Sequence, residues 1–179
     1  MLTAFGHTII NEYASAEYIH MNLHRSVSGA ALNTARIPAF TAELGGYMTV
    51  DHAMVKAAVS GIRNVMRWAG MLSDAPEPIT GIKVLKPDHP IRRTQHPFSK
   101  HSGILHYYVQ AGDNITAGQP IARISDIYGR PLGEDDGQIK TQLDGTVLGV
   151  SLGAVCYQNE PLLSLAIHDE GESVLPYPG

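Results

Sequence analysis

Apolar residues at Met54, Val55, Ala58, Val59, Ile62, Val65, Met66 and Ala69 recur with the period of a helix, the strongest such signal in the chain. Thr49 or Asp51 can cap its start, Gly70 lies just past its end, and Arg63 and Arg67 sit near the negative end of its dipole. The predicted helix covers a sheet. Before it, Pro38 to Ala42 reads as a short, mostly apolar strand that ends in the carboxylate of Glu43, Leu44 and the pair Gly45-Gly46. Met1 to Phe5 resembles the end of an amphipathic helix stopped by Gly6, and His7 to Ile10 starts a β-branched strand. Asn11 to Ser28 has no clear period and reads as an irregular loop with room for a helical turn, while Gly29 to Arg36 is rich in helix formers and long enough for two turns.

After Ser73 to Pro78, a linker by composition, the pattern becomes β throughout. Ile79 to Leu85 reads as one strand, and the three prolines of Pro87 to Lys100 place that stretch in a loop or at a sheet edge. Two similar segments then follow, about 42 residues apart. Ser102-Gly103-Ile104-Leu105 is matched by Asp144-Gly145-Thr146-Val147, Ala111-Gly112 by Leu152-Gly153, and Gly118-Gln119-Pro120-Ile121 by Asn159-Glu160-Pro161-Leu162. The expected architecture is the end of an α/β unit over residues 1–75, a small barrel-sandwich-like β module with an internal repeat over 76–168, and a polar, fraying tail over 169–179.

Composition narrows the function classes. A chain of 179 residues, 44% hydrophobic and 17% charged, can bury a real core. No run approaches the length a membrane span needs, and no signal peptide is recognisable, so the expectation is a cytoplasmic protein without membrane contact. The net charge of -4 and scattered cations, with only Arg92-Arg93 adjacent, argue against nucleic-acid binding. The single Cys156 excludes an internal disulfide and sits in an apolar setting suited to buried packing.

Chemistry has few candidates. A carboxylate at a strand end, followed by two glycines that let a ligand approach the backbone, makes Glu43 the first of them. The competing reading is an acid that caps or ion-pairs at a turn. His20 and His24 are four apart, as two metal ligands on one helix face would be, but no acid lies between them in the HExxH manner. His89, His96, His101 and His106 fall in Pro-containing loops, where solvated imidazoles are commoner than ligands. Lys140 lies between the two similar segments, where a swinging-arm carrier would bear its lysine, yet its flanks Gln138-Ile139 and Thr141 lack the acidic or methionine character of such sites.

In this order, IPAFTAELGG, GIRNVMRWAGML, SGILHYYVQAGDNITAGQPIARISDIYG and LDGTVLGV resemble the C-terminal half of the succinylglutamate desuccinylase/aspartoacylase family. These proteins are relatives of the zinc carboxypeptidases, and the likeness is to the bacterial branch that deacylates N-acyl amino acids, including N-acetyl-diaminobutyrate in ectoine breakdown. The resemblance implies a zinc-dependent amidohydrolase, a small-molecule N-acyl amino acid as substrate, and a homo-oligomer. It makes Glu43 the catalytic carboxylate, which takes a proton from the attacking water and delivers it to the leaving amine. Gly45 and Gly46 stand beside it as substrate-binding candidates; the family's substrate-carboxylate arginines are not identifiable in this chain, and Arg25 and Arg36 are candidates by their nearness in sequence.

The zinc ligands of the family, a His-x-x-Glu pair and a later His, belong upstream of the segment that Met1 to Gly6 resembles. Here His7, His20, His24 and His52 are followed three places on by Ile10, Leu23, Val27 and Val55, so no metal ligand is assigned in this chain. Two expectations follow. As a piece of a larger hydrolase, the chain alone is inactive; as a whole polypeptide, it is a non-catalytic β-module protein that binds a partner or self-associates.

Overall fold

The computed structural model describes residues 1–46 and 49–171, which contain four α-helices and two four-stranded antiparallel sheets. They divide into two compact units, one of residues 1–9 and 14–88 and the other of residues 10–13 and 89–170.

The first unit is helical. Helix α1 (Leu2–Phe5) ends, as expected, at Gly6, whose φ of 83° supplies the left-handed turn that glycine adopts without steric cost. Helix α2 (Ser15–His20) and a 3-10 turn over Leu23–Arg25 occupy the stretch read as irregular. Helix α3 (Val27–Asn33) starts where the Ser26 hydroxyl accepts from the Gly29 amide at 3.2 Å. Helix α4 (His52–Trp68) starts at Asp51, whose Oδ1 accepts from the amides of Ala53 (2.8 Å) and Met54 (3.1 Å).

Three expected strands are absent from this unit. His7 to Ile10, Pro38 to Ala42 and Ile79 to Leu85 form no ladder, and among the described residues the first strand begins at Ile91. An isolated strand has no partner for its amides and carbonyls. Side chains hold these segments instead. The Leu85 amide donates to the Thr8 hydroxyl at 2.9 Å, and Asn64 receives the Glu77 amide at 2.7 Å while donating to the Glu77 carbonyl at 2.9 Å.

The buried side of α4 is also not the expected one. Ala57, Ala58, Gly61 and Asn64 face inward, whereas Val55, Val59 and Ile62 are exposed. Small residues win because α1 crosses close by: a Cβ on Gly61 would come within 2.9 Å of the Phe5 carbonyl and 2.8 Å of its ring. Phe5 is buried there, with the ring of Phe40 edge-on at 5.2 Å.

Near the end of α4, Arg67 donates to Glu77 at 3.0 Å and to Asp74 at 3.3 Å. The bond from Arg67, and then one from Ser60, holds the Glu77 carboxyl below its ordinary value of 4.5. A folded-state pKa lowered in this way stabilises the fold above the unfolded value, and the contribution fades as pH falls through the lowered one. Thermal unfolding followed from pH 6 to pH 3 is therefore expected to show a smaller loss of melting temperature for Glu77→Gln than for the wild type. An identical slope would mean that the pair adds nothing to stability.

The second unit holds both sheets. Strand order is β1-β8-β6-β3 in one and β5-β4-β2-β7 in the other. The strands are β1 (Ile91–Gln95), β2 (Gly103–Tyr107), β3 (Asn114–Ile115), β4 (Pro120–Ser125), β5 (Gln138–Lys140), β6 (Gly145–Val150), β7 (Val155–Cys156) and β8 (Leu163–His168). Alternation along β8 turns Leu163 and Leu165 into one hydrophobic cluster, and on β4 a register irregularity between Pro120 and Ala122 lets Ile121 join Ile124 in it; Leu105, Ile115 and Val147 come from the other strands. Strand β1 lies at a sheet edge, inside the proline-bearing stretch, where missing amides do least harm. The Tyr107 hydroxyl donates to the Leu162 carbonyl at 3.1 Å, and burial raises its pKa above the ordinary tyrosine value.

Asp169, read from the sequence as tail, is buried in this unit. Its carboxylate accepts from Asn11 Nδ2 at 2.8 Å and pairs with Arg92 at 2.9 Å. Asn11 in turn bridges to β1, donating its amide to the Ile91 carbonyl and accepting from the Arg93 amide, each at 2.9 Å. The rest of the expected tail, residues 172–179, lies outside the described residues, as do Tyr47 and Met48. Among the described residues, no helix is long and apolar enough to cross a membrane.

Candidate functional site

The loop that carries Glu43 joins α3 to α4. At the end of α3 the chain reverses through Arg36, a non-glycine residue with φ 59°, and the Ile37 amide donates back to the Ala31 carbonyl at 2.9 Å. From there residues 37–44 run as irregular chain, not as a strand. Phe40 anchors the loop against Phe5, and the Thr41 hydroxyl lies 3.3 Å from that of Ser28 in the first turn of α3. The contact brings the chain just before Glu43 to the turn that follows Arg25.

Glu43 itself is exposed, and its carboxylate makes no hydrogen bond or ion pair among the described residues. The geometry expected of it, an acid at the end of a strand, is therefore corrected to an acid on an exposed irregular loop. It does not cap α4, because Asp51 does that. Gly45 follows with φ 83°, a left-handed conformation that favours glycine, and no atom within 4 Å of where a Cβ would stand. Gly46 is open to within 3.4 Å of the Thr49 hydroxyl.

Arg25 is exposed at the end of the 3-10 turn. That turn packs on α3 at Gly29, where any Cβ would run into the Leu23 carbonyl and the Tyr18 hydroxyl. Sequence reasoning passed over Gly29 because helix-forming neighbours masked it; its role comes from a close approach that only the folded chain creates.

Arg36 is exposed too, and its left-handed backbone costs about 1 kcal/mol relative to glycine.

The histidines do not gather. His20 closes α2, whereas His24 lies in the 3-10 turn beyond Asn22, whose φ of 57° breaks the helix between them, so the pair does not share a helix face. Elsewhere the rings of His89 and His168 meet at 4.3 Å, tilted by 45°, and His106 meets Tyr108 edge-on at 5.9 Å. No group of three or more His, Cys, Asp or Glu side chains placed to hold a metal ion exists among the described residues. The described residues do not form a zinc site.

Cys156 is buried as expected, its Sγ 3.6 Å from the Ser99 hydroxyl and 3.7 Å from the His101 carbonyl. Lys140 stands on β5 and pairs with Asp135 at 2.7 Å, which lowers the Asp135 pKa.

No protein-family model matches the chain, and no curated protein matches it in sequence. Solved structures do match. A succinylglutamate desuccinylase from a Silicibacter species superposes with a TM-score of 0.58 at 17% identity, over 80% of this chain and 41% of that one. The product-bound ectoine utilization protein of Ruegeria pomeroyi gives 0.55 at 18% identity, over 78% of this chain and 41% of that one. A succinylglutamate desuccinylase/aspartoacylase from Rhodobacter sphaeroides gives 0.51 at 15% identity, over 71% and 39%. The chain spans about two fifths of the length of these structures. Over about four fifths of its own length, the chain has the fold of a part of the succinylglutamate desuccinylase/aspartoacylase structures.

Proposed function

We propose that the protein acts as a hydrolase on the amide bond of an N-acyl amino acid, with Glu43 as the group that moves the proton. The observation that carries this reading is the placement of Glu43, Gly45 and Gly46 on an exposed loop that leads into α4, in a chain whose fold is that of desuccinylase/aspartoacylase structures. Oxygen from water adds to the acyl carbon, the carbon–nitrogen bond breaks, and a proton passes through the Glu43 carboxylate to the departing amine, leaving a free acid and an amino acid. An amide nitrogen leaves readily only when protonated, so a positioned carboxylate serves this step. Arg25 and Arg36 are assigned to the substrate carboxylate, and the open backbone at Gly45 and Gly46 gives the substrate room beside Glu43.

Zinc, which activates water in chemistry of this kind, would be held by residues outside this chain. The two-sheet unit is read as two interlocked halves. In support, β2 pairs with β4 and β7 while β6 pairs with β8 and β3. Gly112 and Gly153 share φ values of 92° and 93°, and Gly118 and Asn159 both take positive φ at matched places. This unit is proposed to narrow access to the site or to form an oligomer interface.

The test is amine release by the protein that carries this chain, from N-succinyl-glutamate, N-acetyl-aspartate and N-acetyl-diaminobutyrate, with the corresponding N-acyl amines lacking the α-carboxylate as controls. Turnover confined to the carboxylate-bearing compounds is expected. No turnover of any N-acyl amino acid, with zinc supplied, overturns the reading.

A further inference from the structure

Strand β4 runs out into a turn, residues 126–130, that holds two large apolar side chains in water. Ile127 and Tyr128 are 78% and 77% exposed. The turn is nonetheless closely bonded. The Asp126 carboxylate accepts from the amides of Tyr128 (2.8 Å) and Arg130 (2.9 Å) and from Arg130 Nε (2.6 Å), and the Asp126 amide donates to the Arg130 carbonyl at 2.9 Å. The Arg130 guanidinium lies 5.2 Å from the centre of the Tyr128 ring. A tip held in this way has little left to order when it docks.

On the other sheet of the same unit, a groove of about 210 Å³ crosses β1, β8 and β6. One row of its lining follows the ladder register: Gln95 faces Ser164, and Ser164 faces Gly149. A register irregularity lies between Val147 and Gly149, and a Cβ on Gly149 would meet no atom within 4 Å. Val150 and Pro161 give the groove apolar walls, and no charged residue lines it. The side chains of Gln95 and Ser164 make no hydrogen bond among the described residues.

We infer that this groove seats the Tyr128 side chain of a second copy of the chain, so that the two-sheet unit associates with itself. Charge and polarity select the occupant. A groove without a charged residue would leave an ionic ligand unpaired, whereas a tyrosine ring lies against the apolar walls and its hydroxyl finds donors and acceptors in Gln95 and Ser164. The tip brings no net charge, since Asp126 and Arg130 offset each other. Tyr128 remains exposed in its own copy and takes no part in lining that copy's groove, so the contact joins two copies. One aromatic seat buries about 150–250 Å², well below the roughly 1,200 Å² of a stable interface, so the association is weak and depends on concentration. The inference deepens the reading of this unit as an oligomer interface and rests on it.

The test is sedimentation velocity of the full 179-residue chain at concentrations from about 1 μM to about 1 mM. A mass that rises with concentration is expected, with the dissociation constant raised by about tenfold or more in Tyr128→Ala, which removes the ring, and in Gly149→Leu, which fills the groove. Tyr128 is exposed and Gly149 has open space at its Cβ, so circular dichroism should stay at the wild-type level in both. Mixing the two variants separates tip from groove. One variant brings an intact groove and the other an intact tip, so the mixture should recover a one-to-one complex that neither forms alone. A chain that stays monomeric throughout overturns the inference together with the interface reading. Self-association indifferent to both substitutions, or a mixture that recovers nothing, overturns the inference alone, the first by moving the interface elsewhere and the second by showing that tip does not meet groove. Hydrolysis is not read, so the proposed amide cleavage stands or falls on its own assay.

Discussion

Glu43→Gln in the protein that carries the whole fold is expected to lower kcat by about 10²–10⁴-fold on an N-acyl amino acid, the range over which a positioned acid–base group acts. Glutamine keeps the size and polarity of the side chain and removes only its ability to take up and release a proton. Glu43 is exposed and makes no bond among the described residues, so the substitution breaks nothing that holds the fold, and the melting temperature should not move. KM should change little, because the role assigned is proton transfer and not binding. Metal content is part of the measurement. Zinc retained with turnover lost agrees with a proton carrier, whereas zinc lost on Glu43→Gln would show that the residue is a ligand and that its role is misassigned. Unchanged kcat would return Glu43 to the competing reading of an acid at an exposed turn.

Leu165→Ala should cost about 2–5 kcal/mol of stability, the usual span for removing a fully buried leucine and leaving a cavity. Leu165 is 0% exposed and sits on β8 between Thr94 of β1 and Val147 of β6. Its side chain belongs to the cluster that both sheets share, with Ile121, Ile124 and Leu105 contributed from the other sheet. One deletion therefore loosens two sheets together. Chemical denaturation monitored by the far-ultraviolet signal of the sheets should show a lower midpoint with an unchanged slope. A loss below about 1 kcal/mol would mean that the two sheets collapse onto the gap readily and that the core is less tightly packed than its burial indicates.

The helical part of the fold was largely legible. Asp51 ahead of an apolar-periodic run and Gly70 behind it bracket α4 to within the ordinary uncertainty of helix ends, because a cap bonds to amides two or three residues away and such signals are local. Gly6 marks the end of α1 for the same reason. The burial of Cys156 followed from its apolar neighbours. What misled was periodicity without a partner. Pro38 to Ala42 and Ile79 to Leu85 carry strand-like composition, yet a strand exists only when a second one pairs with it, and neither segment has such a partner.

The candidate site was legible in a different sense. Glu43, Gly45 and Gly46 stood out as an acid before a glycine pair, and the structure places them on one exposed loop whose base Ser28 and Thr41 bring to α3. The backbone of Arg36 and the close approach at Gly29 could not be read in advance, since both depend on how the chain leaves and meets α3.

By itself, the sequence determined where α1 ends, where α4 begins and ends, and that Gly6 turns the chain, all through interactions that reach a few residues along the chain. Tertiary structure decided which side of α4 is buried, that Ile91–Gln95 becomes an edge strand, and that Asp169, read from the sequence as tail, joins Asn11, 158 positions away. Those outcomes depend on partners distant in sequence: the bulk of Phe5 selects the small residues of α4, and the unpaired backbone of β8 supplies the ladder that β1 completes.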